Sequence, residues 1–237
     1  MGKNKLARWN ELGTFNNVFQ PEIGAVAGED HHVKGKWHAK VFCNERPIVL
    51  ELGCGKGEYT VGLAAMFPEC NFVGIDIKGA RMWRGAKTAD ENKLTNVAFL
   101  RTRIEFINSF FAEDEVDEIW ITFPDPHPGG RNSGKRLTSP PFLNRYRQFL
   151  KDRGIIHLKT DNTELYQYSL AVALRNNLGV IRSTDDLYSQ NSAGEILSIK
   201  THYEKLFLRD GLKINYLAYR LEKEKNIEDI RLRNQGE

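Results

Sequence analysis

The segment at residues 123–136, FPDPHPGGRNSGKR, holds one carboxylate between prolines and follows it with a flexible, basic stretch. A proline fixes its own φ near about −65° and disfavours helix in the residue before it, so Asp125 lies on stiff, extended backbone. A carboxylate held in this way can align reacting groups or stabilise a developing positive charge. Considered alone, the segment would also fit a purely structural turn.

A glycine-rich loop, ELGCGKGE at residues 51–58, follows a short apolar run and precedes a helical pattern. The spacing G-x-G-x-G through Gly53, Gly55 and Gly57 differs from the dinucleotide-binding G-x-G-x-x-G and from a P-loop. Asp76 ends the next apolar run, 23 residues after Gly53, where an acid can accept hydrogen bonds from ribose hydroxyls. Together the two features predict a site for a nucleoside cofactor, with a dinucleotide as the main alternative.

Short strands and helices alternate along most of the chain. Periodicity predicts strands at 48–52, 71–75, 97–100, 118–123, 155–159 and 214–221, and helices at 58–67, 79–92, 104–111, 140–150 and 164–174. This alternation is typical of βαβ units and a largely parallel sheet. We expect three parts: a loop-like N-terminal extension at 1–46, partly flexible and basic, a main domain at 47–222, and a charged tail at 223–237.

The composition excludes several classes of protein. Hydrophobic residues make up 41% and charged residues 27% of the 237 residues, as in ordinary globular proteins. No apolar run approaches the roughly 18 residues of a membrane span, and the N-terminus lacks a secretory apolar region. The three cysteines have no C-x-x-C spacing, which argues against a disulfide framework and a zinc site. We therefore expect a cytoplasmic protein with neither a metal nor a membrane contact.

A basic strip lies between Gly129 and Arg153, where seven Lys/Arg residues stand against the single acid Asp152. On a chain with a net charge of only +3, such a strip favours an anionic macromolecule bound on one face. A solvated helix face is the alternative explanation.

Several motifs, in order, resemble the tRNA (guanine-N7)-methyltransferase family. They are VKGKW at 33–37, the acid and glycines at 51–57, FPDPHP with its basic follow-on, LKTDN at 158–162, and THYE at 201–204. The resemblance runs from about residue 33 to residue 221. It implies a Rossmann-like, doubly wound α/β fold of the class I methyltransferases, with a mostly parallel sheet and an antiparallel last strand.

The family's activity is then the expected function of this chain. The resemblance implies methyl transfer from S-adenosyl-L-methionine to N7 of a guanosine in tRNA, in the variable loop at position 46 by tRNA convention, giving 7-methylguanosine. It implies tRNA as the partner and no obligate protein partner. Two other functions stay open: a methyltransferase acting on a protein or small molecule, and a catalytically silent tRNA-binding protein of the same fold.

The motifs also assign the site residues. Asp125 is the expected catalytic carboxylate, the expected cofactor contacts are Glu51, Gly53, Gly55 and Asp76, and the expected substrate contacts are Asp161, Thr201, Glu204, Arg131, Lys135 and Arg136. Asp161 would also fit a helix N-cap with Glu164 three residues on. Thr201 and Glu204 would, without the resemblance, pass for a surface turn.

Three positions depart from the family's pattern. His127 stands where the family has Trp, and Gly129-Gly130 stand where a pair of basic residues is usual. Arg103 occupies a position where many members carry an Asp that accepts from the adenine amino group, and an arginine can only donate. Glu105 or a backbone carbonyl could serve instead.

Overall fold

The structure, a computed structural model, describes residues 3–22, 24, 28–189 and 194–230. Within these ranges, an eight-stranded sheet forms the centre of the protein. Its strands are β1 (Val18–Phe19), β2 (Ile48–Leu52), β3 (Asn71–Asp76), β4 (Val97–Arg101), β5 (Val116–Thr122), β6 (Leu150–Thr160), β7 (Gly179–Thr184) and β8 (Asn215–Leu221). They lie in the order β1-β4-β3-β2-β5-β6-β8-β7.

The strand directions confirm the predicted fold class. The pairs of β2 with β3 and β5, of β3 with β4, and of β5 with β6 are parallel. Strand β8 pairs antiparallel with both β6 and β7. The sheet is therefore mostly parallel with an antiparallel last strand.

Helices cover both faces of the sheet. They are α1 (Lys3–Leu12), α2 (Glu58–Met66), α3 (Gly79–Glu91), α4 (Pro140–Tyr146), α5 (Thr163–Arg175), α6 (Gly194–Ser198) and α7 (His202–Arg209), with shorter helical turns at Trp37–Phe42, Ile104–Ser109 and Gly130–Lys135. Side chains of a strand alternate between the faces, so Val49 packs with α2 and α3 whereas Leu50 packs with α4 and α5.

The first 46 residues contain more structure than the predicted loop. Helix α1 lies against α3, where Glu11 accepts a hydrogen bond from the Trp83 indole at 2.8 Å and pairs with Lys87 at 2.9 Å. Strand β1 extends the sheet beside β4. Trp37 is fully buried, and its backbone N–H donates to Glu115 at 3.1 Å. From residue 6 to the end of α1 only Leu12 is buried, so the helix carries little apolar pattern that the sequence could reveal.

The tail that begins at residue 223 is partly packed against the domain. Arg147 donates to the carbonyl oxygen of Lys223 at 2.7 Å, and Ile227 is 2% exposed. The rest of the predicted tail, residues 231–237, lies outside the described residues. Strand β7 and helices α6 and α7 were not predicted from the sequence. They carry the chain from β6 back to β8, and α7 reaches the edge of the sheet where the site lies.

Candidate active site

A cleft of about 700 Å³ opens at the carboxyl ends of β2, β3 and β5. Its two sides come from different parts of the chain. Residues Gly53–Lys56 with Asp76 form what we call the glycine wall, and residues Phe123–Asp125 with Thr201 and Tyr203 form what we call the proline wall. Ligands of open parallel sheets bind at this edge, so the fold brings the predicted loop and the predicted carboxylate together.

Backbone hydrogen bonds fix the glycine wall. The N–H groups of Gly53 and Cys54 both donate to the carbonyl oxygen of Ile75, at 2.8 and 3.0 Å. Gly57 has a φ of 69°, and a Cβ there would lie 2.6 Å from the Phe99 ring. Only glycine meets both demands, because other residues are strained at this φ and would collide with the ring.

Asp76 lies at the end of β3 and faces the cleft. Its carboxylate accepts from the N–H groups of Gly55 at 2.9 Å and Lys78 at 2.7 Å. These bonds hold it beside the glycine loop, in the place where the sequence predicts a ribose contact. A carboxylate has about four lone-pair sites, so acceptor capacity remains for two hydroxyls.

Glu51 lies beneath the glycine wall and does not line the cleft. Thr60 donates to one carboxyl oxygen through both its hydroxyl and its N–H, and the Thr122 hydroxyl donates to the other at 2.6 Å. Burial raises the pKa of Glu51 to about 7, although these hydrogen bonds oppose the rise. Its direct cofactor contact stays a prediction, and the observed contacts give it a supporting position.

The described residues fit S-adenosylmethionine. A Cβ built on Gly53 would meet no atom within 4 Å, which leaves the loop open to a ligand, and Asp76 supplies the acid for a ribose. Beyond β4, Arg103 and Glu105 line the cleft and pair at 3.2 Å. Glu105 therefore brings a hydrogen-bond acceptor to the side where the family's Asp is missing.

Unusual backbone torsions shape the proline wall. Phe123 and His127 have φ values of 49° and 43°, which turn the chain on both sides of Asp125. The Asp125 side chain is exposed and lines the cleft. Strained backbone of this kind is costly and clusters at functional sites.

Arg136 supports the proline wall from behind. Its guanidinium donates to the carbonyl oxygens of Pro126 at 3.0 Å and His127 at 3.3 Å, and pairs with Glu164 at 2.5 Å. The side chain is only 4% exposed. Its RNA contact stays a prediction, and the observed partners give it a supporting position behind the proline wall. Arg131 and Lys135 are exposed, and Lys135 lines the cleft.

The remaining predicted substrate residues have different surroundings. Asn162, rather than Asp161, caps α5 by accepting from the Leu165 N–H at 2.8 Å. Asp161 is half-buried outside the cleft lining, and burial raises the pKa of its carboxyl group. Thr201 lines the cleft and caps α7.

Glu204 is fully buried behind Thr201. It forms an ion pair with Lys159 at 2.9 Å, and both side chains are 0% exposed. The Tyr188 hydroxyl donates to the same carboxylate at 2.6 Å. Its predicted contact with substrate stays a prediction, and the geometry places it as an anchor for α7.

Comparisons with known proteins identify the family. A family model described as "Putative methyltransferase" matches residues 45–217. A tRNA (guanine-N(7)-)-methyltransferase of Bacteroides thetaiotaomicron is 50% identical over 224 residues, which cover 94% of this chain and 88% of the relative. The chain belongs to the tRNA (guanine-N(7)-)-methyltransferase family. A member from Porphyromonas gingivalis is 52% identical over 213 residues, which cover 89% of this chain and 86% of that relative.

Solved structures agree on the fold of this family member. The 16S rRNA methyltransferase KamB matches with a TM-score of 0.60 at 16% identity, covering 81% of this chain and 95% of that chain. A likeness at this identity supports the class I methyltransferase fold alone.

In the described part of the chain, no helix is long and apolar enough to cross a membrane. The same residues contain no cluster of three or more His, Cys, Asp or Glu side chains arranged for a metal ion.

The basic strip of this family member divides between two ends of the sheet. Lys135 and Arg145 line the cleft. Lys151 lies at the amino end of β6 and pairs with Asp117 at 2.5 Å. The strip therefore does not form one continuous face, and its cleft end is the part suited to a nucleic acid entering the site.

Two residues of the site, Lys159 and Tyr203, were not predicted from the sequence. Lys159 lies within the LKTDN motif, but lysine is almost never fully buried unless paired, and its partner is 45 residues away in the chain. Tyr203 lies within THYE and lines the cleft with 43% exposure. The signal for both residues was their presence inside the family motifs.

Proposed function

We propose that this protein transfers a methyl group from S-adenosyl-L-methionine to N7 of a guanosine in tRNA, giving 7-methylguanosine. The proposed target is the guanosine at position 46 in the variable loop. The observation that carries the proposal is the cleft itself, which is lined by the glycine wall with Asp76 and by Asp125 and Thr201, in a member of this family. A tRNA substrate would place the reaction in the cytoplasm.

The proposed reaction requires little proton transfer by side chains of this protein. S-adenosylmethionine, when bound, supplies the electrophilic methyl group. Guanine N7 carries a lone pair and no proton, so no strong general base is required. The main tasks of the side chains are to hold the base in line and to exclude other geometries.

Asp125 is the proposed catalytic carboxylate. Methylation leaves a positive charge on the guanine, and a carboxylate fixed beside it stabilises that charge as it develops. The turned backbone at Phe123 and His127, together with the bonds from Arg136, holds Asp125 in place before the substrate arrives. A carboxylate can also accept from the N1–H and N2–H₂ edge of guanine, a pair of donors that adenine lacks.

The exposed cations at and beside the cleft suit the phosphates of RNA. Arg131 and Lys135 lie on the helical turn that follows the proline wall. Contacts of lysine and arginine with phosphates supply affinity and position but little sequence information. Base specificity therefore rests on the proline wall, and a base that enters it must first leave its stack.

The test uses methyl-labelled S-adenosylmethionine and unmodified tRNA transcripts. Digestion to nucleosides should place the label in 7-methylguanosine, and a transcript with adenosine at position 46 should stay unlabelled. Label in protein or in small molecules, independent of added tRNA, would support a different methyltransferase. Tight tRNA binding with no label in any nucleoside would mean a protein that kept the fold without the reaction.

A further inference from the structure

Tyr203 is a large aromatic side chain on the proline wall that the proposed chemistry does not yet use. Its ring lines the cleft and is 43% exposed. Most aromatic rings of this protein are packed inside the two cores. An amphipathic ring with a polar tip, open to a cleft, offers surface to a flat ligand.

The backbone that presents Tyr203 is anchored at the residues around it. The Thr201 hydroxyl accepts from the N–H of Glu204 at 3.2 Å, and Glu58 accepts from the N–H of His202 at 2.8 Å. The Glu204 carboxylate is held inside the protein by Lys159. These bonds fix the backbone on both sides of Tyr203, whose ring lines the cleft.

The surroundings of the ring connect it to the predicted acceptor site. Tyr203 lies 6.4 Å from the Phe207 ring, between centroids, and Phe207 lies 5.7 Å from the Phe123 ring. Phe123 is two residues before Asp125. The guanidinium carbon of Arg81 lies 5.9 Å from the centre of the Tyr203 ring. The exposed ring therefore sits among groups that stack with nucleobases, in the same cleft as the carboxylate.

We propose that Tyr203 is a positioning residue whose ring stacks on the target guanine when the base enters the cleft. This inference rests on the proposed function. A base that leaves its stack in RNA loses contact on both faces, and aromatic side chains restore such contact in proteins that bind single-stranded RNA. Stacking fixes the plane of the guanine, and Asp125 reads its edge, so together they align N7.

The test compares the binding of two RNAs by the wild-type protein and by two variants, in a double-mutant cycle. Tyr203→Leu keeps an apolar side chain but removes the ring, and Tyr203→Phe keeps the ring as the matched control. The RNAs are tRNA transcripts with guanosine or an abasic nucleotide at the methylated position. Dissociation constants are measured with S-adenosylhomocysteine present, and melting temperatures verify that each variant is folded.

We expect Tyr203→Leu to weaken binding of the guanosine transcript by about tenfold. Tyr203→Phe should stay within about twofold of the wild type, because the stacking surface is retained. On the abasic transcript, all three proteins should bind equally. A Leu variant that binds the guanosine transcript normally, or that is weakened equally on both RNAs, would overturn the inference. So would a loss of S-adenosylhomocysteine affinity without a loss of tRNA affinity, since the ring would then cover the cofactor.

Failure of this inference can be distinguished from failure of the proposed function. Formation of 7-methylguanosine by the wild-type protein is measured first, and this result tests the proposed function whatever the role of Tyr203. If that product forms and the cycle shows no coupling between the ring and the base, only the role of Tyr203 is rejected.

Discussion

One buried glutamate lies behind each wall of the cleft, and the groups that stabilise the two carboxylates differ. Glu51, behind the glycine wall, accepts hydrogen bonds from Thr60 and Thr122, and its pKa rises to about 7 because of burial. Glu204, behind the proline wall, pairs with Lys159. Burial lowers the pKa of Lys159, and Glu204 opposes that shift.

The difference between the two glutamates shows which interactions hold each wall in place. The glycine wall depends on backbone bonds to β3, and Glu51 behind it accepts from hydroxyl and backbone N–H groups rather than from a cation. The proline wall depends on a buried cation that also donates to the carbonyl oxygens of Leu197 and Ile199, at 3.0 and 3.3 Å. Removing one charge should therefore damage the proline wall far more than the glycine wall.

The largest expected effect is that of Lys159→Met. The substitution leaves Glu204 buried without its cation, which typically costs about 3–5 kcal/mol of unfolding free energy. Urea unfolding measures this change. The double variant Lys159→Met/Glu204→Leu removes both charges and should recover most of the loss. A single variant as stable as the wild type would show that the pair does not hold the proline wall.

Asp125→Asn should have the next largest effect, and it should act on turnover rather than stability. Loss of a fixed charge beside the reacting base is expected to lower kcat by about 100-fold. The tRNA dissociation constant should change by less than about threefold, because phosphate contacts supply most of the affinity. Single-turnover kinetics separate the two quantities. Normal turnover in this variant would remove Asp125 from the mechanism.

Glu51→Gln tests the glycine wall through pH. In the unfolded chain Glu51 ionises near 4.5, whereas in the folded protein its pKa is about 7. The wild type therefore loses stability as pH rises from about 4.5 to about 7, since the folded state resists ionisation. The Gln variant lacks this loss, so its stability relative to the wild type should rise over that window. A difference in melting temperature that stays constant with pH would contradict the raised pKa.

Arg131→Ala and Lys135→Ala should have the smallest effects. Each removes one proposed phosphate contact, which makes the slope of log affinity against log salt less negative by about 0.7–0.9. Lys151→Ala is the matched control, because this exposed lysine pairs with Asp117 at the other end of the sheet. If the slope of log affinity against log salt were the same in all three variants, the RNA would not contact Arg131 or Lys135.

The glycine wall could be predicted from the sequence because it is built locally. The loop follows β2 and Asp76 ends β3, the apolar runs of both strands are plain, and β2 has the predicted bounds. The support of the proline wall could not be predicted, because its ion pairs join distant segments. Arg136 pairs with Glu164 across 28 positions, and Lys159 pairs with Glu204 across 45.

Boundaries also shifted where tertiary packing overrode local preference. The helix that begins at Pro140 ends at Tyr146, before the predicted end at residue 150, because Leu150 already pairs with Val116 in the sheet. Helix α7 was missed since it is short and buries the charged Glu204. Sequence rules place a glutamate outside the protein unless it is paired, so they do not predict this residue on the buried side.

The most direct test of the proposed function replaces one atom of the substrate. A tRNA transcript carrying 7-deazaguanosine at position 46 keeps the Watson–Crick edge but has carbon in place of N7. We predict that it binds with normal affinity, accepts no methyl group and inhibits methylation of the unmodified transcript. Methyl transfer to the 7-deaza transcript at the normal rate would contradict the account, because the methyl group would then be received at an atom other than N7 of this guanosine.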